Sequence, residues 1–563
     1  MLMKGGGLKN KSSIYFSAPF PPVVQEWRII MSLMSNLYIG NSGLMSSQNS
    51  LNTTAHNLSN IDTKGFTRQQ IIMGDRRYNS IGNAAVSPMQ LGLGTDVQKV
   101  RQVRDFFLDQ RYRQEVGRQA FYEETAKTVT QLEDFFGELE GVSFQESLEN
   151  LWVAVQEVQK DPTNSVNLGL FVNQSYKFLE RADAVYNGLV GYQNTLNKQA
   201  KDLIDKINDY GEMISSLNEQ IRMIEKGGQE EANDLRDKRN FLLDELGSMA
   251  KIKYAEDIDG VVTVSIEGVQ FVTSDRVQKM GYREEENGFY TAIWPEYDDM
   301  EVYNLSREVS SDLNTDIGQL KGILLARGDH SANFTDLYES DPSTNGSYPQ
   351  FNRPGYYTNT ISQSLIMNVQ AEFDNLIHEI VTQINMVLNP PDANGNSTNY
   401  DMFLRLSENR DHNEVGEDLN VPESMYTCGN LKINPDLLQD ETLLSFYTKD
   451  GKADQAKADA LVEAFSKKYL TLNPNATDKN NFTTYYENIV KQYASLGSVF
   501  RNVADTQTST VESIENSRQM VMGVSSSEEL TNMIKFQNAY NASSRYINVV
   551  SEMLEHLITR LGG

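Results

Sequence analysis

The residue types that most often carry chemistry are sparse in this chain and poorly spaced for it. Of the five histidines, His56, His330, His378, His412 and His556, no two share the i, i+4 spacing that lets a helix offer two imidazoles to a metal. Cys428 is the lone cysteine, which excludes an intramolecular disulfide and a cysteine-based zinc site. His378-Glu379 has no partner histidine one turn on and reads as a helix-face pair. Gly92-Leu93-Gly94 lacks the third glycine and the preceding strand of a dinucleotide fingerprint. The run 392–401, DANGNSTNYD, lacks the closing glutamate of a calcium loop and reads as a polar turn. Glu528-Glu529 suits the first turn of a helix, where the dipole favours negative charge. The expectation is therefore no catalytic residue, no metal, no cofactor and no enzyme.

What remains is recognition by packing, and it is concentrated at the two ends. Leu37, Leu44, Leu51 and Leu58 recur every seven residues, with Gly40, Ser47, Thr54 and Ile61 at the intervening seam positions. At the other end Met533, Phe536, Tyr540, Ser543, Ile547, Val550, Leu554, Leu557 and Leu561 alternate by three and four. A small seam facing a large one lets unlike helices approach closely, so the ends are expected to pair and to leave apolar edges for neighbouring subunits. Between helix and body lies HNLSNIDTKGFTRQQ, residues 56–70. It reads as a helix–turn–strand connector. Asn60 caps the helix, Gly65 takes a positive φ, Phe66 anchors the turn and Arg68 offers a donor fork to a carboxylate.

The elements that must hold these ends follow from proline and hydrophobic period. The 14 prolines leave 163–294 and everything after 474 free of helix breakers, giving two helical arms around a turn-rich middle. In the first arm Val185, Leu189, Tyr192, Leu196, Leu203, Ile207, Tyr210, Ile214, Leu217, Ile221 and Ile224 form a seam. Gln199 is its polar member, at a coiled-coil stutter. Gly227-Gly228 ends that helix, and a second at 230–248 returns beside it. Residues 261–266 and 269–273 switch to strand period, with turns at Asp259-Gly260 and Asn287-Gly288. Helix resumes over 359–388, and from about 476 to the C-terminus with a break near Gly523.

Length, at 563 residues, predicts three or four domains. Lys and Arg number 50 against 77 Asp and Glu, a net charge of −27 that disfavours nucleic acid and anionic membrane surfaces as partners. No 18-residue apolar run offers a membrane span. Residues 1–30 carry three lysines before a proline-interrupted apolar stretch and read as an unstructured leader, or as sequence upstream of a true start at Met31.

As a pattern, Leu44–Gln69 resembles the N-terminal signature of bacterial flagellar axial proteins: a leucine helix, then Asn57-Leu58-Ser59-Asn60, then Thr63-Lys64-Gly65-Phe66-Thr67-Arg68. Phe66 stands where that family more usually has tyrosine. Three further segments are similar to one branch, the hook–filament junction family (hook-associated protein 1). They are 232–246 (ANDLRDKRNFLLDEL), 318–327 (GQLKGILLAR) and the tail with Gly523-Val524-Ser525, Glu528-Glu529-Leu530 and Phe536-Gln537-Asn538-Ala539-Tyr540. The resemblance leaves 389–475 and the leader uncovered.

It implies a structural protein of α+β class, elongated and multidomain. Paired terminal coiled-coil helices would join a long helical-bundle domain and a β-rich outer domain with a mixed insertion. The expected partition is leader 1–30, N-terminal coil 31–75, helical body 76–250, β-rich outer domain 251–358, returning helix 359–388, mixed exposed insertion 389–475, body return helix 476–523 and C-terminal coil 524–563. The implied assembly interface is Leu37, Leu44, Leu51, Leu58 and Ile61 on one seam. The other seam, shared with an export chaperone, is Met533, Phe536, Tyr540, Ile547, Val550, Leu554, Leu557 and Leu561. Asn57, Asn60, Gly65, Phe66 and Arg68 form the connector beside it. Implied partners are copies of itself in a ring, the hook protein, a second junction protein, the chaperone and the flagellar type III export apparatus. The implied place is the extracellular flagellum. A hook or distal-rod relative, or a secreted coiled-coil scaffold or adhesin, is the alternative.

Overall fold

The computed structural model describes residues 22–76, 78–80, 90–136, 143–228, 230–339, 353–390, 399–407, 417–419 and 421–561. The first 21 residues of the expected leader, His412 and most of the polar run 392–401 lie outside them. The chain is α+β and divides into two compact units: Met1–Asp105 with Ile224–Asp237 and Gln519–Gly563, and Phe106–Met223 with Lys238–Arg518.

In the first unit, α1 (Pro22–Ser59) starts nine residues before Met31, so the end of the expected unstructured leader is helical. Proline is tolerated there because a first-turn N–H has no intrahelical acceptor. After it come β1 (Gln69–Asp75), β2 (Tyr78–Ser80), β3 (Gln90–Gly92) and β4 (Thr95–Gln102), paired antiparallel as β1–β4 and β2–β3. The sequence pattern places 31–75 in the N-terminal coil and 76 onward in the helical body, so β2 to β4 fall where helix is expected. A bulge between Ile72 and Met73 shifts the β1–β4 register and breaks the alternation that would have revealed the strands. The unit closes with α11 (Ser526–Leu561).

The second unit is built on long helices: α2 (Phe106–Phe136), α3 (Phe144–Lys160), α4 (Ser165–Glu225), α5 (Asn233–Met249), α6 (Gln319–Arg327), α7 (Leu365–Leu388) and α10 (Phe482–Met522). α4 stops at Glu225, and Gly228 has φ of +65°, so the two glycines end it as their backbone freedom predicts. α7 is buried on nearly every face, and its N-cap Ser364 accepts from Met367 N–H at 3.3 Å. Around it Phe144 lies 5.0 Å from Phe373 and 4.9 Å from Tyr486, ring centre to ring centre.

Two small antiparallel sheets fill the middle: β5 (Ile252–Glu256), β6 (Val262–Ile266) and β7 (Val269–Val272), then β8 (Gly281–Glu284), β9 (Tyr290–Trp294) and β10 (Met300–Glu301). Both belong to the same compact unit as the helices. Asparagines of α4 dock them. Asn208 donates to Met280 O at 2.8 Å and accepts from Met280 N–H at 2.9 Å. Asn218 does the same with Val262 at 2.8 and 3.1 Å. Asn197 donates to Gly288 O and accepts from Tyr290 N–H, each at 2.9 Å. A primary amide sets an N–H donor beside a C=O acceptor, as a peptide group does, so each side chain stands in for a neighbouring strand. The polar members of the α4 seam are thus Gln193, Asn197 and Asn218, all buried, whereas Gln199 is only half-buried.

The stretch expected as an exposed insertion shares the core. It holds β11 (Phe403–Arg405), β12 (Leu431–Ile433), α8 (Pro435–Gln439) and α9 (Gln455–Ser466). Phe403, Leu437, Phe446, Leu461 and Phe465 are buried in the main cluster. Asn385 fixes its start as the α4 asparagines fix theirs, donating to Phe403 O at 2.8 Å and accepting from Met402 and Phe403 N–H. Its apolar residues are separated by turns, so no period marked them as core.

Candidate assembly site: the terminal helix pair and its connector

α1 and α11 pack antiparallel, with Gly40 at the level of Ile547, Gly43 at Ser543 and Arg68 at Glu528. Among the described side chains of α1, from residue 33 on, the fully buried positions are the small ones, Gly40, Ser42, Ser46, Ser47, Ser50, Thr54 and Asn57. A Cβ on Gly40 would lie 2.6 Å from Ile547 Cγ1, inside van der Waals contact, so glycine sets how closely the helices approach. Ser47 and Ser50 turn their hydroxyls back onto Gly43 O and Ser46 O at 2.7 and 2.8 Å, which lets polar side chains lie in a dry seam. Leu37, Leu44, Leu51 and Leu58 are only half-buried, flanking the seam, and Ile61 lies past the helix end at 38% exposure. On α11, Val550 is buried, and Met533, Phe536, Tyr540, Ile547, Leu554 and Leu557 are half-buried. The side chain of Leu561 lies outside the described residues.

The connector is held by three devices. Asn57 accepts from Gln69 N–H at 3.0 Å and donates to Gln69 O at 2.9 Å, so the last turn of α1 serves as an edge partner for β1. Asn60 donates from its amide to His56 O at 2.9 Å, and Gly65 has φ of +82°. Phe66 meets His56 edge-on at 5.5 Å. Arg68 then joins the two ends of the chain. Its backbone N–H donates to Met522 O at 2.9 Å and its guanidinium reaches Glu528 at 2.6 Å, in the first turn of α11. An open groove of about 580 Å³ runs beside this contact, lined by Thr54, Asn57, Arg68, Ile71, Glu528 and Phe536 among others.

Beyond these three lies a bracket that residue patterns alone did not single out. Thr67 is fully buried, and its N–H donates to Asp237 Oδ2 at 3.1 Å, while Gln102 donates to Asp237 Oδ1 at 2.7 Å. Asn233 donates to Val100 O at 2.9 Å. Burial pushes the Asp237 carboxyl up to about 6, against the bonds from Thr67 and the charge of Arg104, which pull it down. Asn233 and Asp237 belong to the ANDLRDKRNFLLDEL segment, so the signal lay in a motif match whose physical role was hidden until folding brought 67 beside 237. Among the described residues no group of three or more His, Cys, Asp or Glu is placed to hold a metal, and no helix is long and apolar enough to cross a membrane.

Comparison with known proteins gives the same picture along the chain. The model of the helical domain of flagellar hook-associated protein FlgK matches residues 129–403. The flagella basal body rod protein model matches 37–67, and the C-terminal model of the flagellar basal body rod FlgEFG protein matches 521–560. The last two fall on α1 with its connector and on α11. Flagellar hook-associated protein 1 of Bacillus subtilis is 24% identical over 542 residues, covering 94% of this chain and 99% of its own. The proteins of that name from Salmonella typhimurium and Escherichia coli are 20% and 23% identical, each covering 92% of this chain and 98% of its own. The solved flagellar hook junction protein FlgK from Burkholderia pseudomallei shares the fold, with a TM-score of 0.51 at 12% identity over 74% of this chain and all of its own. With rod-type models on both paired ends, the junction-protein helical model between them and near-full-length relatives of one name, this chain is similar along nearly its whole length to flagellar hook-associated protein 1 (FlgK).

Proposed function

We propose that the chain is a structural subunit of the bacterial flagellum that forms the junction between hook and filament and lets the filament assemble on it. The observation that carries this is the antiparallel union of α1 and α11, joined at Arg68–Glu528, in one compact unit. A helix pair of this kind leaves its outer faces for neighbours, which suits a repeating axial assembly. The proposed partners are further copies in a ring, the hook protein below and a second junction protein above. Before assembly an export chaperone would hold α11, and the flagellar type III apparatus would deliver the chain outside the cell. Its work in this reading is positional and non-catalytic. No nucleic acid, membrane or cofactor enters it.

A strain lacking the protein is expected to build hooks and to shed flagellin into the medium. Filaments of normal length in that strain would refute the assignment. Removing residues 1–30 is expected to leave swarming intact, with immunoblotting of the secreted fraction as the check. A second test separates packing from export. Leu554→Asp places a charge on the α11 seam and is expected to abolish assembly, leaving the circular dichroism of the second unit's helices in place.

A further inference from the structure

Within the second unit, α6 ends at Arg327, where Gly328 takes a φ of +76°, so the last residue of the GQLKGILLAR segment brings a guanidinium into the interior. Arg327 is only 2% exposed, yet it makes no ion pair among the described residues. Its Nε donates to Gly328 O at 2.8 Å, and its Nη1 donates to Tyr290 O at 2.9 Å and to the Asn197 side-chain oxygen. Nη2 has no hydrogen-bond partner among the described residues. Burial pushes the guanidinium down to about 10, against the pull of Asp329, so it is still charged at neutral pH. Carbonyl oxygens and a helix C-terminus supply only partial negative charge, and a buried full charge without a counter-ion is costly.

Arg327 lines an open cavity of about 1140 Å³, walled by the β8–β9 hairpin, β10 with the loop after it, and the end of α6. The hairpin turn is tied to the same place, since Asn197 also donates to Gly288 O and Asn287 donates to Asp329 O at 2.8 Å. Most other charges on the wall are already used. Glu285 and Glu301 face Arg283 at 2.8 and 3.6 Å, and Asp329 meets His330 at 2.6 Å. Against burial, Asp329 and Asp336 hold the His330 imidazole up at about 10, so it stays an imidazolium. Glu286, exposed at the hairpin turn, has no cation partner among the described residues. The wall therefore carries three cations against four carboxylates, a net of −1, with Arg327 and Glu286 left over.

That balance separates two kinds of anion. A multiply charged phosphate meets one free guanidinium among four carboxylates and is repelled more than it is held. A single carboxylate accepts from the unused N–H groups of Nη2 and neutralises the buried charge. Donors elsewhere on the same molecule, hydroxyls or an ammonium, find an acceptor in Glu286.

We propose that this cavity binds a small molecule bearing one carboxylate and further hydrogen-bond donors, a sugar acid or an amino acid, with its carboxylate on Arg327 and its donors toward Glu286. The site goes beyond the junction role and does not depend on it.

The test is ¹³C NMR of the full chain labelled at its methionine methyls. Met300 lines the cavity and is 44% exposed, so its methyl reports the site, and exposed Met386, outside the cavity wall, is the control. The probes are sodium glucuronate, alanine, glucose and inorganic phosphate. Met300 is expected to shift saturably with glucuronate or alanine while Met386 stays still, and glucose and phosphate should bind about tenfold more weakly or worse. The tighter of the two carboxylates identifies hydroxyl or ammonium as the second group recognised. Glu286→Gln keeps an acceptor and discards the charge, so it should weaken alanine about threefold or more and leave glucuronate nearly unchanged. Arg327→Lys keeps the charge without the planar fork and should cost about tenfold in affinity with circular dichroism unchanged. Should that variant fail to fold, the titration of the parent chain decides alone. The proposal is overturned by no saturable Met300 shift with either carboxylate, by phosphate binding as tightly as they do, or by a folded Arg327→Lys chain of full affinity. An unchanged alanine affinity in Glu286→Gln overturns the place given to Glu286.

Discussion

The asparagine side chain recurs in this molecule as a substitute peptide group. Asn57, Asn197, Asn208, Asn218 and Asn385 each donate to and accept from an extended segment, from a helix that could otherwise offer a strand nothing. Asn57→Ala leaves the Gln69 N–H and C=O unpaired at a buried point and is expected to cost about 1–3 kcal/mol, read by urea unfolding of the full chain. Asp237 behaves differently, since burial raises its pKa to about 6, above the ordinary value near 3.9. Its contribution to stability is therefore complete below about pH 4 and is lost as pH climbs through 6. Asp237→Asn removes that titration, so the melting temperature should vary less between pH 4 and 6 than in the parent. An unchanged pH slope would show that Asp237 is not the group responsible.

At the scale of elements, the contrast is between a seam set by sterics and a dock set by hydrogen bonds. Gly40→Leu drives a side chain into Ile547, and overpacking of this kind costs about 1–3 kcal/mol. Separation of α1 from α11 should follow, seen as lost hydrogen-exchange protection confined to those two helices. α4 carries the sheets through its amides, so Asn218→Leu keeps the volume and strands the Val262 peptide groups without a partner. It should destabilise by about 2 kcal/mol or more, whereas the helix count seen by circular dichroism is kept. The bond network around Arg518, which reaches Asp109 at 3.0 Å and Asp244 at 2.8 Å, ties α10 to α2 and α5 in the same unit. Removing one member leaves buried charge uncompensated, which costs more than the intact pair contributes.

For the whole molecule the dominant facts are the −27 net charge and a carboxyl, Glu372, that burial raises well above its ordinary range. Glu372 is fully enclosed and is pushed up to about 8 by desolvation, against hydrogen bonds from Gln492, Asn368 and Tyr493. A folded pKa above the unfolded one stabilises at low pH, and the gain is lost as pH rises through 8. The second unit should therefore melt at progressively lower temperature as pH rises from about 5 to 8. Glu372→Gln should remove much of that slope by keeping the shape and discarding the titration.

The sequence by itself determined what local physics determines: the long helices, the glycine stops at 227–228 and 523, the connector with Gly65, and the large seam of α11. It also carried the family resemblance, because the connector and the 232–246 segment are contiguous motifs. It could not show that the Leu37–Leu58 heptads flank the seam rather than fill it, since burial depends on how closely Gly40 lets α11 approach. Nor could it show that 389–475 supplies core, because its apolar residues are scattered among turns and find neighbours only on α3 and α7. The strands after residue 69 were hidden by a bulge, and the bracket at Asp237 by a separation of 170 residues from Thr67. Period and capping act over a few residues and are written in the chain. Which polar group buries against which is decided only when distant segments meet, because the cost of an unpaired donor arises only where water has been excluded.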